Sequence, residues 1–366
     1  MPTIGLVMTT YNEEKVIKRC LESVLPYIDY YSIGVDLKTT DNTKSIIEET
    51  LKDKTGVVFD SPWRGFADAR NQAFEHFTWD VDWFLIIDAD MILHNRDMKF
   101  NKNDLDSEES GYLITINQNH TYWNMNWLVS GKYNWAWKGV LHEYIECQDV
   151  IKPITICRDD LLITHQGDGG GRAKDSAMFK RDADVFLNEM VKETDPFLIQ
   201  RYTFYLAQSY RDAGMKKESI LFYRLRARMG GWEEEVYLSY YYAGRQSKDI
   251  EDYFHAMETI PTRSEALADL LHKAIEDDDM EKVIRGLHHY DNVIKNNLSW
   301  NKNGLFFVDK ITILHDWAAI AMGKVGRIKE SKKMMLKLYD EYLHNEDYQN
   351  ANRIKQNISL FKEQGF

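Results

Sequence analysis

The first ninety residues alternate short apolar runs with segments of helical period, and that alternation restricts the chain to a sheet whose strands are joined by crossover helices. Residues 5–11 form an apolar run ending in a polar tip. Residues 13–25 then place Val16, Ile17, Cys20, Leu21, Val24 and Leu25 at helical spacing, and Pro26 stops the pattern. Residues 31–35 predict a second strand, followed by a polar turn at 39–43 and a helix through Ile46, Ile47 and Leu51. Residues 56–59 predict a third strand, 66–77 a helix, and 83–87 a near-continuous buried strand. Such a series implies a largely parallel sheet covered on both faces. Ligands of such sheets bind beyond the carboxyl ends of the strands. Three polar clusters fall there: Tyr11-Asn12-Glu13, Asp36, and Asp88-Ala89-Asp90.

From Gly111 to about Ile163 the pattern becomes β-rich, with candidate strands at 112–116, 145–147 and 161–164 and a stretch between them rich in Trp and Asn. After Gly169-Gly170-Gly171 the periodicity is helical to the end. This half repeats itself. Residues 205–219 align with 317–331, so that Gly214 and Gly326 coincide, as do the two Lys-Glu-Ser triplets ending at Ser219 and Ser331. A weaker copy has its turn at Asp277-Asp278-Asp279. Small residues, a glycine turn and a second amphipathic helix are the pattern of tetratricopeptide-type hairpins, here irregular in spacing. The division predicted is 1–168 for the α/β domain and 169–366 for the helical repeats, with 169–195 as a loop and helix beside the site.

A chain of 366 residues accommodates two such domains. Its composition, 44% hydrophobic and 28% charged, is that of a soluble globular protein. No uncharged apolar stretch approaches the roughly eighteen residues of a membrane span. The opening residues carry no basic segment ahead of their short apolar run, so a cytoplasmic protein is expected. Cys20, Cys147 and Cys157 lack metal-ligand spacing and are expected to be reduced. A net charge of −12 argues against nucleic acid as partner, since a basic face supplies most of that affinity.

The strongest chemical signal is the strand 83–87 delivering Asp88 and Asp90 at its tip. Paired carboxylates there suit Mg²⁺ or Mn²⁺, which take one or two carboxylates together with ligand phosphates. The plain alternative is that one Asp caps the next segment and the other is solvated. Thr10-Tyr11-Asn12-Glu13-Glu14, Val35-Asp36 with Thr40-Asp41-Asn42-Thr43, the run from Pro62 to Asn71, and Ile87-Asp88-Ala89-Asp90 occur in an order and spacing that resemble the family 2 glycosyltransferases of the GT-A fold. The segments 137–143, 164–167, 203–210 and 230–234 resemble the subgroup that carries tetratricopeptide-like helices.

The resemblance implies a metal-dependent enzyme that moves a sugar from a nucleotide diphosphate sugar to an acceptor, with inversion. By it, Tyr11 and Asp36 hold the base, Glu13 lies near the ribose, and Thr10 belongs to the same donor-binding set. Arg70 steadies the first cluster or the diphosphate, Asp88 contacts the ribose, and Asp90 ligates the metal, with Asp88 as a further candidate ligand. His165 either joins the metal and diphosphate or caps its strand. Arg172 and Lys174 either close over the diphosphate or belong to a solvated basic segment. Glu143 either takes the acceptor's proton or anchors the Trp-rich loop with His142, and Trp137 either stacks on a sugar or packs. UDP is the expected carrier; the acceptor, a protein or a glycan, is not fixed. One departure stands out: Lys38 occupies a position where the family pattern has glycine.

Two rivals are distinguishable. A nucleotidyltransferase would carry a basic glycine-rich loop after the first strand, where this chain has Thr9-Thr10-Tyr11-Asn12-Glu13-Glu14. A non-catalytic repeat scaffold would use the concave face of the helices for partners or for a homodimer, with no physical reason to keep Asp88, Asp90 and Arg70 together.

Overall fold

A computed structural model describes residues 1–119, 121–149, 157–168, 176–294 and 311–363. The chain divides into two compact units, the first ending at Leu198 and the second beginning at Ile199. The first contains β1 (Ile4–Thr10), α1 (Ile17–Val24), β2 (Tyr30–Asp36), α2 (Thr43–Thr50), β3 (Thr55–Ser61), α3 (Phe66–Glu75) and β4 (Trp83–Ile86). It continues through β5 (Met91–Asn95), β6 (Gly111–Gln118), β7 (Thr121–Ser130), β8 (Trp135–Lys138), β9 (Tyr144–Cys147), β10 (Cys157–His165) and α4 (Ser176–Met190).

Eight of these strands form one sheet in the order β3-β2-β1-β4-β7-β6-β10-β5. β3, β2, β1 and β4 are mutually parallel, and β6 and β10 run with them. β7 and β5 run the opposite way. The mostly parallel sheet expected from the alternation is present, with β7 inserted as an antiparallel spacer. All but one residue of β1 and all but one of β2 are buried. Because successive side chains point to opposite faces, both faces are covered. Trp83, at 2% exposure, anchors the core between β4 and Tyr112 of β6.

The Trp- and Asn-rich stretch is strand. Trp123 and Trp127 lie in β7, and Trp135 and Trp137 in β8, which pairs antiparallel with β9 as a separate two-stranded ribbon. Asparagine disfavours strands intrinsically, but β7 is paired with β6 along nearly its whole length. Cross-strand pairing overrides local preference here. The short β5, directly after Asp90, escapes the sequence pattern because it is an edge strand held on one side by β10.

The second unit is helical: α5 (Pro196–Asp212, begun just before its boundary), α6 (Lys216–Arg228), α7 (Glu233–Ser247), α8 (Ile250–Thr259), α9 (Glu265–Glu276), α10 (Met280–His289), α11 (Ile311–Lys324), α12 (Ile328–His344) and α13 (Tyr348–Glu363). Consecutive helices from α6 to α9 pack as neighbours, as do α11, α12 and α13. The repeat is physical. Ser219 Oγ donates to Ala207 O at 2.8 Å, and Ser331 Oγ donates to Ala319 O at 2.6 Å. Met215 N bonds to Tyr210 O and Arg327 N to Met322 O, both at 2.8 Å, across glycines at φ +76° and +82°. Asp278 (φ +53°) and Glu346 (φ +58°) make the same left-handed helix stop without glycine. Asp279 N then reaches Ala274 O, and Asp347 N reaches Tyr342 O.

Three buried ion pairs, centred on two arginines, lock the middle helices. Arg226, fully buried, bonds Glu235 and the Gly230 carbonyl, and Arg263 bonds both Glu234 and Glu265. No helix among the described residues is long and apolar enough to cross a membrane. Cys20 and Cys147 are free thiols.

Candidate active site

The carboxyl ends of β1, β2 and β4 lie side by side in the sheet and carry the three polar clusters. The first is braced against the second. Thr43 Oγ1 accepts from Glu13 N at 2.7 Å and donates to Asp41 Oδ1 at 2.5 Å, while Asp41 Oδ2 accepts from Glu14 N at 3.0 Å. Burial pushes the Asp41 carboxyl up, but the hydrogen bonds from Thr43 and Glu14 outweigh it and hold the group below its ordinary value. Asn12, at φ +53°, turns the chain so that its Oδ1 accepts from Thr40 N at 2.8 Å. Tyr11 is left exposed at this corner.

Thr10 and Asp36 are buried at the same edge. The Thr10 hydroxyl donates to Gly34 O at 3.1 Å, tying β1 to β2. Asp36 Oδ1 accepts from Lys38 N at 2.7 Å. Lys38, in the family's glycine position, thus supplies its main-chain N–H to the aspartate.

The third cluster divides its two carboxylates between two partners. Asp88 Oδ1 meets Arg70 Nη1 at 2.8 Å, and Arg70 Nε donates to Glu143 Oε1 at 2.7 Å. The guanidinium also lies 4.6 Å from the centre of the Trp137 ring. Burial by itself would push the Arg70 guanidinium down, but Asp88 and Glu143 hold it above its ordinary value. Asp90 faces the other way: His165 Nε2 lies 2.9 Å from its Oδ2. The contact is a hydrogen bond in the tautomer that carries its proton on Nε2, since a carboxylate only accepts. Cys20 Sγ donates to Asp88 O at 3.3 Å from α1, and burial, with Asp88 and Asp90 adding to it, pushes that thiol well up.

Glu143 is carried by the turn between β8 and β9, which bends through Gly139 at φ +104° and His142 at φ +51°. The ribbon is fixed to α3 by Asn71, whose side chain accepts from Trp137 N at 2.7 Å and donates to Trp137 O at 3.0 Å. The His142 ring stacks on Phe186 of α4 with centroids 6.2 Å apart.

Arg70, Asp88, Glu143 and Trp137 therefore form one cluster, and Asp90 and His165 a pair beside it. Arg172, Lys174 and the three glycines before them lie outside the described residues. Among the described residues no three His, Cys, Asp or Glu side chains converge as a metal set. The donor chemistry of the Asp90–His165 pair still fits a divalent cation that completes its shell with phosphate oxygens. Sequence reading missed Asn71 as the brace of Trp137, and Arg19, which bonds Asp168. A basic residue on an amphipathic helix gives no signal of such a partner.

An α/β unit with acidic and basic side chains gathered at adjacent strand ends places a polar site where open α/β sheets bind their ligands. Residues 6–99 match the family model Glycosyl transferase family 2, and this stretch is a family 2 glycosyltransferase domain. Over 90 residues the chain is 38% identical to the SPbeta prophage-derived glycosyltransferase SunS of Bacillus subtilis (strain 168), and equally to glycosyltransferase SunS of Bacillus phage SPbeta. The shared part is 24% of this chain and 20% of each relative, so the chain matches about a fifth of their length. Among solved structures, S. aureus TarS 1–349 in complex with UDP-GlcNAc is similar over 70% of this chain and 91% of that one, at 14% identity and a TM-score of 0.35. The TPR-like repeats of a Podosopora anserina putative kinesin light chain cover 48% of this chain and 100% of theirs, at 9% identity and a TM-score of 0.29. Scores this low carry no argument about function.

Proposed function

We propose that the protein is a glycosyltransferase that takes a sugar from a UDP-sugar and passes it, with inversion, to an acceptor hydroxyl or related nucleophile. The observation that carries this reading is the division of Asp88 and Asp90: one carboxylate is tied through Arg70 to Glu143, the other is paired with His165. Donor and acceptor chemistry thereby receive separate groups on adjoining sides of one strand end.

Asp90 and His165 would hold Mn²⁺ or Mg²⁺, the imidazole favouring Mn²⁺. When bound, the ion neutralises the charge that grows on the leaving diphosphate. Glu143 takes the acceptor's proton. Its link to Arg70 fixes the direction of the carboxylate that would accept that proton. Trp137, 4% exposed and held by Asn71, packs in the core beneath Arg70 and supports the guanidinium from below, the packing alternative of its two expected roles.

Support for uracil over guanine comes from Asp36. Its Oδ1 already accepts from Lys38 N, so Oδ2 is the oxygen with more acceptor capacity to spare, which matches a single ligand N–H better than two. Uracil presents one N–H at its N3 edge, whereas guanine presents adjacent N1 and N2 donors that call for both oxygens. Tyr11 supplies an exposed ring at the same corner for stacking.

Thermal-shift titration tests the reading, with UDP, GDP, CDP and UMP, with and without Mn²⁺, on wild type and Asp90→Ala. A ligand at a hundred times its dissociation constant adds about 2.7 kcal/mol of stability. UDP is expected to stabilise the wild type only with metal, and Asp90→Ala to lose the effect. If no nucleotide shifts the melt under any metal condition, the donor site is refuted.

A further inference from the structure

Helix α1 sends two neighbouring residues to two different strand ends. Cys20 bonds the Asp88 carbonyl, at the start of the turn that carries Asp90. Arg19 bonds Asp168 through both terminal nitrogens, with Nη1 to Oδ2 at 2.7 Å. Asp168 lies among residues 166–168, which follow β10 with neither helix nor strand and are all exposed. His165, immediately before them, is the residue paired with Asp90. Gln166 N adds a longer main-chain bond to Asp90 O at 3.4 Å.

A guanidinium–carboxylate fork sets orientation as well as distance. Arg19 Nε is buried without a hydrogen-bond partner among the described residues. A buried N–H left unpaired costs free energy, so the head group lies where Asp168 takes it and not where its own donors are best satisfied. Asp168 holds the Arg19 guanidinium above its ordinary value, and Arg19 holds the Asp168 carboxyl below its own, so the pair is ionised at neutral pH.

We propose that Arg19, acting through Asp168, is a positioning residue that fixes His165 against Asp90 for the cation and diphosphate of the donor, an inference that rests on the donor-site reading above. Groups hydrogen-bonded to a metal ligand orient it, and losing them typically weakens metal affinity by roughly 10- to 100-fold. The fork stands one step further back, bonding Arg19 to Asp168 three positions beyond His165, so the lower end of that range is expected. The fork links α1 to the segment that follows β10, so it acts on the site without touching the ligand.

The test is calorimetric titration of the full chain with Mn²⁺ in the presence of UDP, for wild type, Arg19→Ala, Arg19→Lys, Asp168→Ala and the double alanine variant. Each single alanine variant is expected to weaken Mn²⁺ by about tenfold. The double variant should lose no more than either single one, and Arg19→Lys should recover part of the loss. The melting temperature of the metal-free protein should stay unchanged, because the pair is one-third to one-half exposed. If Asp168→Ala binds like wild type while Arg19→Ala is weak, Arg19 acts on the ligand directly and the positioning role is overturned. Wild-type affinity in both single variants overturns it as well. A wild type that binds neither Mn²⁺ nor UDP defeats the donor-site reading itself, a failure visible before any variant is made.

Discussion

Arg70 Nε donates to Glu143 Oε1 at 2.7 Å with both side chains largely withdrawn from solvent, at 13% and 10% exposure. The same guanidinium serves Asp88, so one cation compensates two carboxylates that would otherwise repel each other in a poorly hydrated pocket.

Arg70→Ala removes that cation and leaves both carboxylates uncompensated. Breaking a buried pair by deleting one partner costs about 3–5 kcal/mol, and partial access of water to Asp88 places the expected loss near the lower figure. Urea unfolding of wild type and variant measures it. Arg70→Lys keeps the charge but not the fork, and should fall between the two. Equal unfolding midpoints for wild type and Arg70→Ala would show that the cluster adds nothing to stability.

Glu143→Gln preserves shape and a hydrogen-bond acceptor while removing the base. Turnover should drop by roughly 10²- to 10⁴-fold, with the UDP-induced shift in melting temperature retained. A variant that turns over like wild type would assign Glu143 to anchoring the ribbon between β8 and β9. A variant that loses the UDP shift would place the residue on the donor side.

The acidic strand ends were legible in the sequence because apolar runs are sharply delimited there: Trp83 to Ile86 is strand, and Asp88 and Asp90 follow at once. Which carboxylate meets which partner was not legible, since Arg70 and Glu143 are 73 positions apart and are joined by α3 packing on β8. Of the ribbon bearing Trp135 and Trp137, the strand at 145–147 was legible, but its partner β8 was hidden for a related reason. That strand is four residues long and its position depends on Asn71, a side chain from another element. In the helical unit, turns made with glycine were visible, as at Gly214 and Gly326. The equivalent turn at Glu346 was not, because a left-handed glutamate leaves no compositional trace.

Asp41 gives a pH prediction with a definite sign. Its folded pKa is depressed below the ordinary 3.8 by the bonds from Thr43 and Glu14, against the opposing effect of burial. A depressed carboxylate contributes stability that is fully present above its unfolded pKa and is lost as pH falls through its folded one. The stability difference between wild type and Asp41→Asn should therefore be constant between pH 5 and 7, at about its neutral value. It should shrink as the pH is lowered below 3.8. Chemical denaturation at a series of pH values reads it directly, and a difference that grows in acid would contradict the assignment.

Two glycines with opposite surroundings separate backbone strain from steric exclusion. At Gly214, φ is +76° and an added Cβ meets no atom within 4 Å, so the cost of alanine is the left-handed backbone alone. That cost is about 1–2 kcal/mol, and Gly214→Asn should recover part of it, since asparagine tolerates this conformation. At Gly131 an added Cβ would lie 1.9 Å from the carbonyl oxygen of Val81, a main-chain atom that cannot swing aside. Gly131 follows β7 directly, and its N–H bonds Asp82 O at 2.8 Å, so relief would require separating β7 from the segment leading into β4. Gly131→Ala should consequently lose several times what Gly214→Ala loses, and asparagine at 131 should do worse than alanine. Denaturant midpoints of the four variants rank them. If Gly131→Ala were as mild as Gly214→Ala, the contact between β7 and the segment entering β4 would have to be looser than the geometry gives.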